Sequence, residues 1–345
     1  MLGDVVELVE TETVTRRARP AAAKLRTLRD EVRGRLGPYE LLHRIGSGGM
    51  GEVFLACDAR EDGNKTPVAL KRILPGLANR TDIKELFVDE ARVTARMTHR
   101  NLVPGMDTSY AESHGFFTMP FVDGMPLSTL LRTAARAGKP LPDVAALAIV
   151  QRIATGLHYA HELARPSGRA LDVVHCDVSP GNVLVSRRGE VKLLDWGIAR
   201  GHHVTRGLPE IARGTLGYSS TEQTSGASVD RRSDVFSLGV IAWELTTMRR
   251  LFRGVNRADT ALRVANAEVP KPSSIRPDYN PELETIVMDA LARNKSERLP
   301  TALSLDIAIE RFVRRNALDA SRRALAAWVR DVLPAGQASG AAPHD

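Results

Sequence analysis

His175-Cys176-Asp177-Val178-Ser179-Pro180-Gly181-Asn182-Val183-Leu184-Val185-Ser186-Arg187-Arg188-Gly189-Glu190-Val191-Lys192-Leu193-Leu194-Asp195-Trp196-Gly197 is the stretch on which the reading of this chain turns. Two short aliphatic runs, Val183 to Ser186 and Val191 to Leu194, flank Arg188-Gly189 in the pattern of a β-hairpin. A two-residue turn at Arg188-Gly189 sets Asn182 opposite Asp195, with directly opposed Cβ atoms about 5 Å apart. Asp177 lies just upstream in a Pro-Gly loop. Two carboxylates and an amide oxygen then converge at one end of the hairpin. Such hard oxygen donors suit Mg²⁺, which takes one or two carboxylates and completes its shell with water and phosphate. A polar loop without metal is the competing reading, because a register slip of one residue separates the facing pair.

Working outward, Asp177-x-x-x-x-Asn182, a strand, and Asp195-Trp196-Gly197 resemble the catalytic loop and metal motif of the protein-kinase superfamily. Less specifically, they resemble the small-molecule kinases of the aminoglycoside phosphotransferase type. Upstream, strands beginning at Tyr39 flank Gly46-Ser47-Gly48-Gly49-Met50-Gly51. In a dinucleotide fold such glycines open a helix; here Val53, Phe54 and Leu55 continue as a strand. Strand, glycine turn, strand is the protein-kinase arrangement, in which backbone amides lie over nucleotide phosphates. Val68-Ala69-Leu70-Lys71 resembles the family's lysine strand. An isolated buried ammonium is costly, so Lys71 needs a carboxylate. A helix with Asp82 as N-cap and Glu85 three residues on puts Glu90 on the apolar stripe of Ile83, Phe87, Val93 and Met97. Glu90 is the expected partner.

Gly115 to Gly124 reads as a strand running into a connector. The resemblance makes it the hinge, with Met119 as gatekeeper, the Pro120 carbonyl and the Val122 amide toward the base. Asp143 is the expected cap of a long helix with Leu147, Val150, Ala154, Leu157 and His161 on one face. His158 and His161 read as surface or packing residues. Further on, Gly214 to Gln223 resembles the peptide-substrate platform, Asp234 opens the buried central helix, where the family's Asp holds the catalytic-loop backbone, and Arg298 stands where the family pairs an arginine with the platform glutamate, here Glu222. Small-molecule kinases lack this trio.

The expected fold is α+β: a bilobal, protein-kinase-like domain over 38–313, with a β-rich N-lobe (about 38–121) and a mainly helical C-lobe (about 122–313). Residues 1–37 form an N-terminal extension, acidic and then basic; 314–345 carry one more helical pattern and a tail of disordered composition. The resemblance, most specific to bacterial, myxobacterial-like Ser/Thr protein kinases, implies ATP bound by Ile45, Gly46, Ser47, Gly48, Gly49, Met50, Gly51, Val53, Ala69, Lys71, Met119, Pro120 and Val122. It implies Asp177 as catalytic base, Lys71 on the α/β-phosphates positioned by Glu90, and Asn182 and Asp195 on Mg²⁺, or Mn²⁺ in its place. Thr215, Glu222, Asp234 and Arg298 are implied in the activation segment and its anchors, with Thr215 a structural contact.

The pattern has departures. Cys176 replaces the usual Arg, Ser179 the usual Lys, Trp196 the usual Phe and Thr221 the usual Pro. Trp196 fills the same apolar role if its N–H finds a partner. A cysteine offers no cation to an activation-loop phosphate, so Thr205, the better phosphosite, is not expected to be required, and control is expected through the extensions or a partner. Cys176 and Ser179 also keep open a pseudokinase that binds without transfer. A small-molecule phosphotransferase is the remaining alternative.

The 345 residues, 43% hydrophobic, are enough for one large two-lobed domain. Two cysteines, Cys57 and Cys176, make no disulfide framework and fit a reducing cytoplasm. No apolar run reaches the roughly 18 residues of a membrane span. The net charge of +7 reads as solvated surface; without an aromatic-basic patch, protein substrates and ATP are expected as partners and nucleic acid is not.

Overall fold

The computed structural model describes residues 34–60, 66–111, 114–165, 167–196 and 215–333. Most of the N-terminal extension, Gly197, Gly214, Thr205 and the tail from 334 lie outside the described residues. The chain divides into two compact units, one built from residues up to 84 with 105–123, the other from 85–104 with 124–333.

The first unit is an antiparallel sheet of β1 (Gly34–Leu36), β2 (Tyr39–Ser47), β3 (Gly51–Asp58), β4 (Pro67–Ile73), β5 (Thr108–Ala111) and β6 (His114–Pro120), ordered β1-β2-β3-β4-β6-β5. The sheet begins at Gly34, ahead of the Tyr39 start read from the pattern, because Leu36 is buried and pairs back onto Tyr39. Alternation decides the faces. Leu36, Tyr39, Leu41, Phe54, Ala56, Val68, Leu70 and Phe116 form one apolar cluster.

The second unit is mainly helical. Its elements include α1 (Thr81–Thr94, from Glu85 onward), α2 (Leu127–Arg136), α3 (Asp143–His161), α4 (Thr221–Ser225), α5 (Arg231–Thr247), α6 (Arg257–Asn266), α7 (Pro272–Ile275), α8 (Pro281–Ala290), α9 (Ala302–Arg315) and α10 (Arg322–Val332). A small sheet joins β7 (Gly124–Pro126), β8 (Val183–Ser186) and β9 (Val191–Leu193). Helix α5 is buried on nearly every face, as a central core helix must be. Residues 85–104 group with this unit, although the N-lobe was expected to run to 121. Met97 and Leu102 are fully buried in its core, and the Asn101 carbonyl accepts from Leu193 N–H at 2.8 Å.

Three local expectations change. Helix α1 starts at Thr81, so Asp82 sits in the first turn and pairs with Arg80. Pro142, not Asp143, is the N-cap of α3; Asp143 follows it and binds Arg276 at 2.8 Å. The hairpin turn has three residues, Arg187 to Gly189, so Val183 faces Leu193 and Asn182 does not face Asp195. The reason is Gly189, which adopts a left-handed φ of 70° and donates its N–H to Ser186 O at 2.9 Å, a turn closed by a glycine bulge. A Cβ there would also lie 2.4 Å from the Arg322 carbonyl at the start of α10.

Helix α10, expected beyond the kinase domain, is part of this core. Leu325, Trp328, Val329 and Val332 join the main apolar cluster, and Trp328 Nε1–H donates to Pro140 O at 3.1 Å. Among the described residues no helix is long and apolar enough to cross a membrane.

Candidate active site

In the first unit, the ladder orders the expected nucleotide residues. Val53 faces Lys71, Lys71 faces Phe117, and Ala69 faces Met119 across β3, β4 and β6. Opposed residues share a face, so Val53, Ala69, Lys71 and Met119 share the face opposite the apolar cluster. Gly46 pairs with Val53 at the mouth of the glycine turn. Gly48 N–H donates to Gly51 O at 2.8 Å, and Leu74 N–H to Met50 O at 3.0 Å. Position 51 admits only glycine, since a Cβ would stand 2.7 Å from the Arg72 carbonyl. Lys71 is buried, its Nζ 5.9 Å from the Phe117 ring centre. Ile45, Ser47 and Gly49 flank the same turn; Pro120 ends β6, and Val122 follows it in the connector.

The second unit assembles the expected catalytic loop around Asp234. This buried carboxylate accepts the N–H of His175 at 2.8 Å and of Cys176 at 2.9 Å, and lies 2.8 Å from His161 Nε2. Those bonds hold Cys176 in a left-handed conformation, φ 64°, that costs a non-glycine residue about 1–3 kcal/mol. His175 fixes the two ends of the site. Its Nδ1 accepts from Asp177 N–H at 3.2 Å, and its Nε2 lies 2.8 Å from Leu194 O.

Asp177 is then bound on both oxygens. Thr215 N–H donates to Oδ1 at 2.8 Å and Asn182 Nδ2–H to Oδ2 at 2.9 Å. Burial pushes the Asp177 carboxyl up, partly offset by Thr215 N–H, His175 and Asn182. With Nδ2 engaged by Asp177, Asn182 has only its amide oxygen left for a metal. Leu194, opposite Asn182, donates its N–H to Asn182 O at 2.8 Å, so Asp195 is the next residue after the ladder, with φ 59°. An amide oxygen and a carboxylate fit Mg²⁺ or Mn²⁺ sharing its shell with phosphate and water. Among the described residues no group of three or more His, Cys, Asp or Glu forms a metal cage.

The departures have visible consequences. Cys176 packs with Val174 and Val229, and burial pushes its thiol well up. Ser179 is buried, and Thr215 Oγ1–H reaches its Oγ at 3.5 Å, a weak contact where the resemblance implied a cation. Trp196 is buried against His175, ring centres 4.5 Å apart, but its N–H has no partner among the described residues. The expected condition on that tryptophan is therefore not met there. Glu90 is buried on α1, in the second unit, while Lys71 lies in the first.

Glu222 and Arg298 form a bidentate pair, Oε1 to Nη1 at 2.7 Å and Oε2 to Nη2 at 2.9 Å. Burial would raise the Glu222 carboxyl; hydrogen bonds from Arg298 and Ser233 outweigh it and hold it below the ordinary value. Thr221 hydrogen-bonds both Glu222 and Arg298, a role open to Thr and closed to the usual Pro. Sequence reasoning missed two anchors. His161 was read as packing, although a histidine on a buried stripe and a buried Asp in another helix are a natural pair. Gln223 Nε2–H donates to Cys176 O at 2.7 Å and left no local signal.

Comparison with known proteins follows from this geometry. Residues 39–306 match the family described as protein kinase domain. The tyrosine-protein kinase MasK of Myxococcus xanthus is 36% identical over 295 residues, covering 85% of this chain and 46% of that protein. The serine/threonine-protein kinase PknB of Mycolicibacterium smegmatis is 32% identical over 318 residues, covering 89% and 48%. The chain thus spans about half the length of these relatives. The crystal structure of the Mycobacterium tuberculosis PknI kinase domain aligns with a TM-score of 0.60 at 26% identity, over 81% of this chain and 97% of that one. This chain belongs to the protein kinase domain family.

Proposed function

We propose that the chain transfers the γ-phosphate of ATP to serine or threonine hydroxyls of protein substrates. The observation that carries this reading is Asp177, whose two oxygens are held by Thr215 N–H and Asn182 Nδ2 beside the start of the Leu216–Tyr218 turn. A carboxylate so oriented, and raised by burial, suits lining up an acceptor hydroxyl and taking its proton as the new O–P bond forms. Lys71 binds the α/β-phosphates and Glu90 positions it; the glycine turn, Ala69, Met119, Pro120 and Val122 hold the nucleotide. Asn182 Oδ1 and the Asp195 carboxylate would hold Mg²⁺, or Mn²⁺, which would supply charge neutralisation for the transferring group. Without a lysine at Ser179, transfer is slower but of the same type. Two buried cysteines that form no disulfide are in keeping with a cytoplasmic site of action, and the terminal extensions are the segments through which a regulatory partner would act.

Incubation with γ-labelled ATP, Mg²⁺ and a mixed protein acceptor, followed by phosphoamino-acid analysis, tests the reading. Phosphoserine or phosphothreonine that disappears in Asp177→Asn is expected. Nucleotide binding without transfer identifies a pseudokinase. Phosphotyrosine is the product the MasK name suggests, and its appearance alone overturns the Ser/Thr assignment.

A further inference from the structure

Beside the turn that follows Thr215 runs an arginine-rich edge. Residues 248–257 read Met-Arg-Arg-Leu-Phe-Arg-Gly-Val-Asn-Arg, with four arginines and no acid. Arg250 anchors this segment to the turn. Its guanidinium lies 5.5 Å from the Tyr218 ring centre and donates to Tyr218 Oη and, at 3.0 Å, to Glu244 Oε2. Glu244, on α5, also accepts Tyr218 O–H at 2.6 Å and Leu251 N–H at 3.0 Å. Its carboxyl is therefore fully occupied within the fold, and Asp259, the next acid along the chain, is taken up by Val255 N–H and Arg263.

Arg249 and Arg253 are exposed, and neither has a carboxylate partner among the described residues. Other arginines of this unit behave differently: Arg231 pairs with Glu162, Arg314 with Glu310 and Arg315 with Glu282. The segment that bears both cations is tied through Arg250 to the turn that follows Thr215. Thr215 touches Asp177, and Tyr218 is three residues on in a 3₁₀ turn rising about 2 Å per residue. Adding a tyrosine side chain puts Arg250, the anchor of this segment, on the order of 12–15 Å from Asp177. An extended peptide covers that in about three to five residues.

We propose that Arg249 and Arg253 select protein substrates carrying an anionic side chain, carboxylate or phosphate, about three to five residues from the acceptor hydroxyl. This deepens the kinase reading above and rests on it. A guanidinium presents paired donors in the geometry of both anions, so acidic and pre-phosphorylated peptides share the same recognition chemistry. Each exposed charge pair is worth up to about fivefold, and two together give roughly tenfold.

The test compares kcat/KM for three peptide sets with one central Ser: Glu, phosphoserine or Lys placed three to five residues away on either side. Wild-type protein is expected to favour Glu or phosphoserine over Lys by about tenfold at low salt, shrinking as ionic strength rises. Which of the two anions leads separates acidic from pre-phosphorylated substrates. In Arg249→Glu/Arg253→Glu the ratio falls to about one or reverses, while Arg249→Lys/Arg253→Lys keeps most of it. Transfer without charge preference, or with the same preference in the charge-reversed variant, overturns the proposal and leaves the kinase reading standing. Fluorescence anisotropy of the labelled peptides with Asp177→Asn protein distinguishes the converse case. Charge-selective peptide binding there, with no transfer by wild type, sinks the kinase reading but keeps the arginine site; equal binding of all sets sinks the site. Duplex DNA is the rival ligand for such a patch. If the reversal abolishes DNA binding while the peptide ratio stays unchanged, the assignment is wrong.

Discussion

Arg298→Ala should unfold the second unit well before the wild-type protein melts. The arginine side chain is fully buried and Glu222 nearly so, at 0% and 6% exposure, which removes solvent as a replacement partner. Truncating one side of a buried pair costs about 3–5 kcal/mol, because the other charge is stranded. Here the loss reaches further. Arg298 also donates to the carbonyls of Ala292 at 2.7 Å, Arg293 at 3.0 Å and Arg232 at 3.2 Å, and stacks 4.7 Å from the Phe236 ring centre. The upper end, about 5 kcal/mol, is therefore expected. For a unit of this size each kcal/mol moves Tm by about 2–4 °C, so the drop is roughly 10–20 °C. Circular dichroism melts at neutral pH read this directly. In the double variant Glu222→Gln/Arg298→Met the cost should be less than the sum of the single changes, since no charge is stranded. The pH dependence has a fixed sign. Glu222 is held below its ordinary value of 4.5, so the unfolded chain takes up its proton first as the solution is acidified. The pair's stabilisation is present above that value and is lost as pH falls through the folded one. The gap between wild type and Arg298→Ala should accordingly narrow in acid. An Arg298→Ala melt within about 2 °C of wild type at neutral pH would refute the reasoning.

Other expectations follow from the same structure. Lys71→Met should abolish phosphoryl transfer with little change in Tm; a variant keeping more than a few per cent of the wild-type rate removes Lys71 from the nucleotide site. Gly189→Ala faces both a left-handed φ and the Arg322 carbonyl, so limited proteolysis should cut between α9 and α10 faster than in wild type; unchanged cleavage means that the hairpin does not anchor α10. Trp328→Ala empties a core position and should cost about 3–5 kcal/mol in chemical denaturation, a loss that a merely appended helix would not produce. Both cysteines are buried and burial raises the Cys176 thiol, so Ellman's reagent should titrate neither until denaturant is added; a fast-reacting thiol in folded protein contradicts the packing of Cys176 with Val174 and Val229.

Much of this protein is legible in the chain itself. Strand and helix periodicities follow from local side-chain preference, so the alternating runs around the glycine turn and the stripe of α3 could be read without coordinates. Residue chemistry in a fixed order, from Gly46 through Lys71, Asp177, Asn182 and Asp195 to Glu222, Asp234 and Arg298, was enough to point to the family. What the chain could not decide are the pairings that depend on distant elements. The hairpin register turned on one left-handed glycine packed under α10, a residue 133 positions before Arg322 in sequence terms and adjacent to it in space. His161 looked like packing until α5 brought Asp234 to its Nε2, and Gln223 had no reason to matter until α4 set it against the Cys176 carbonyl. Helix α10 read as an appendage because its apolar stripe names no partner; only the fold supplies Pro140, Gly189 and the core that cover it. Local sequence determines which faces are apolar and which groups are reactive, since those follow from side chains a few residues apart. Burial, register and the protonation of Asp177 and Glu222 arise from groups brought together across the chain, and only the tertiary structure decides them.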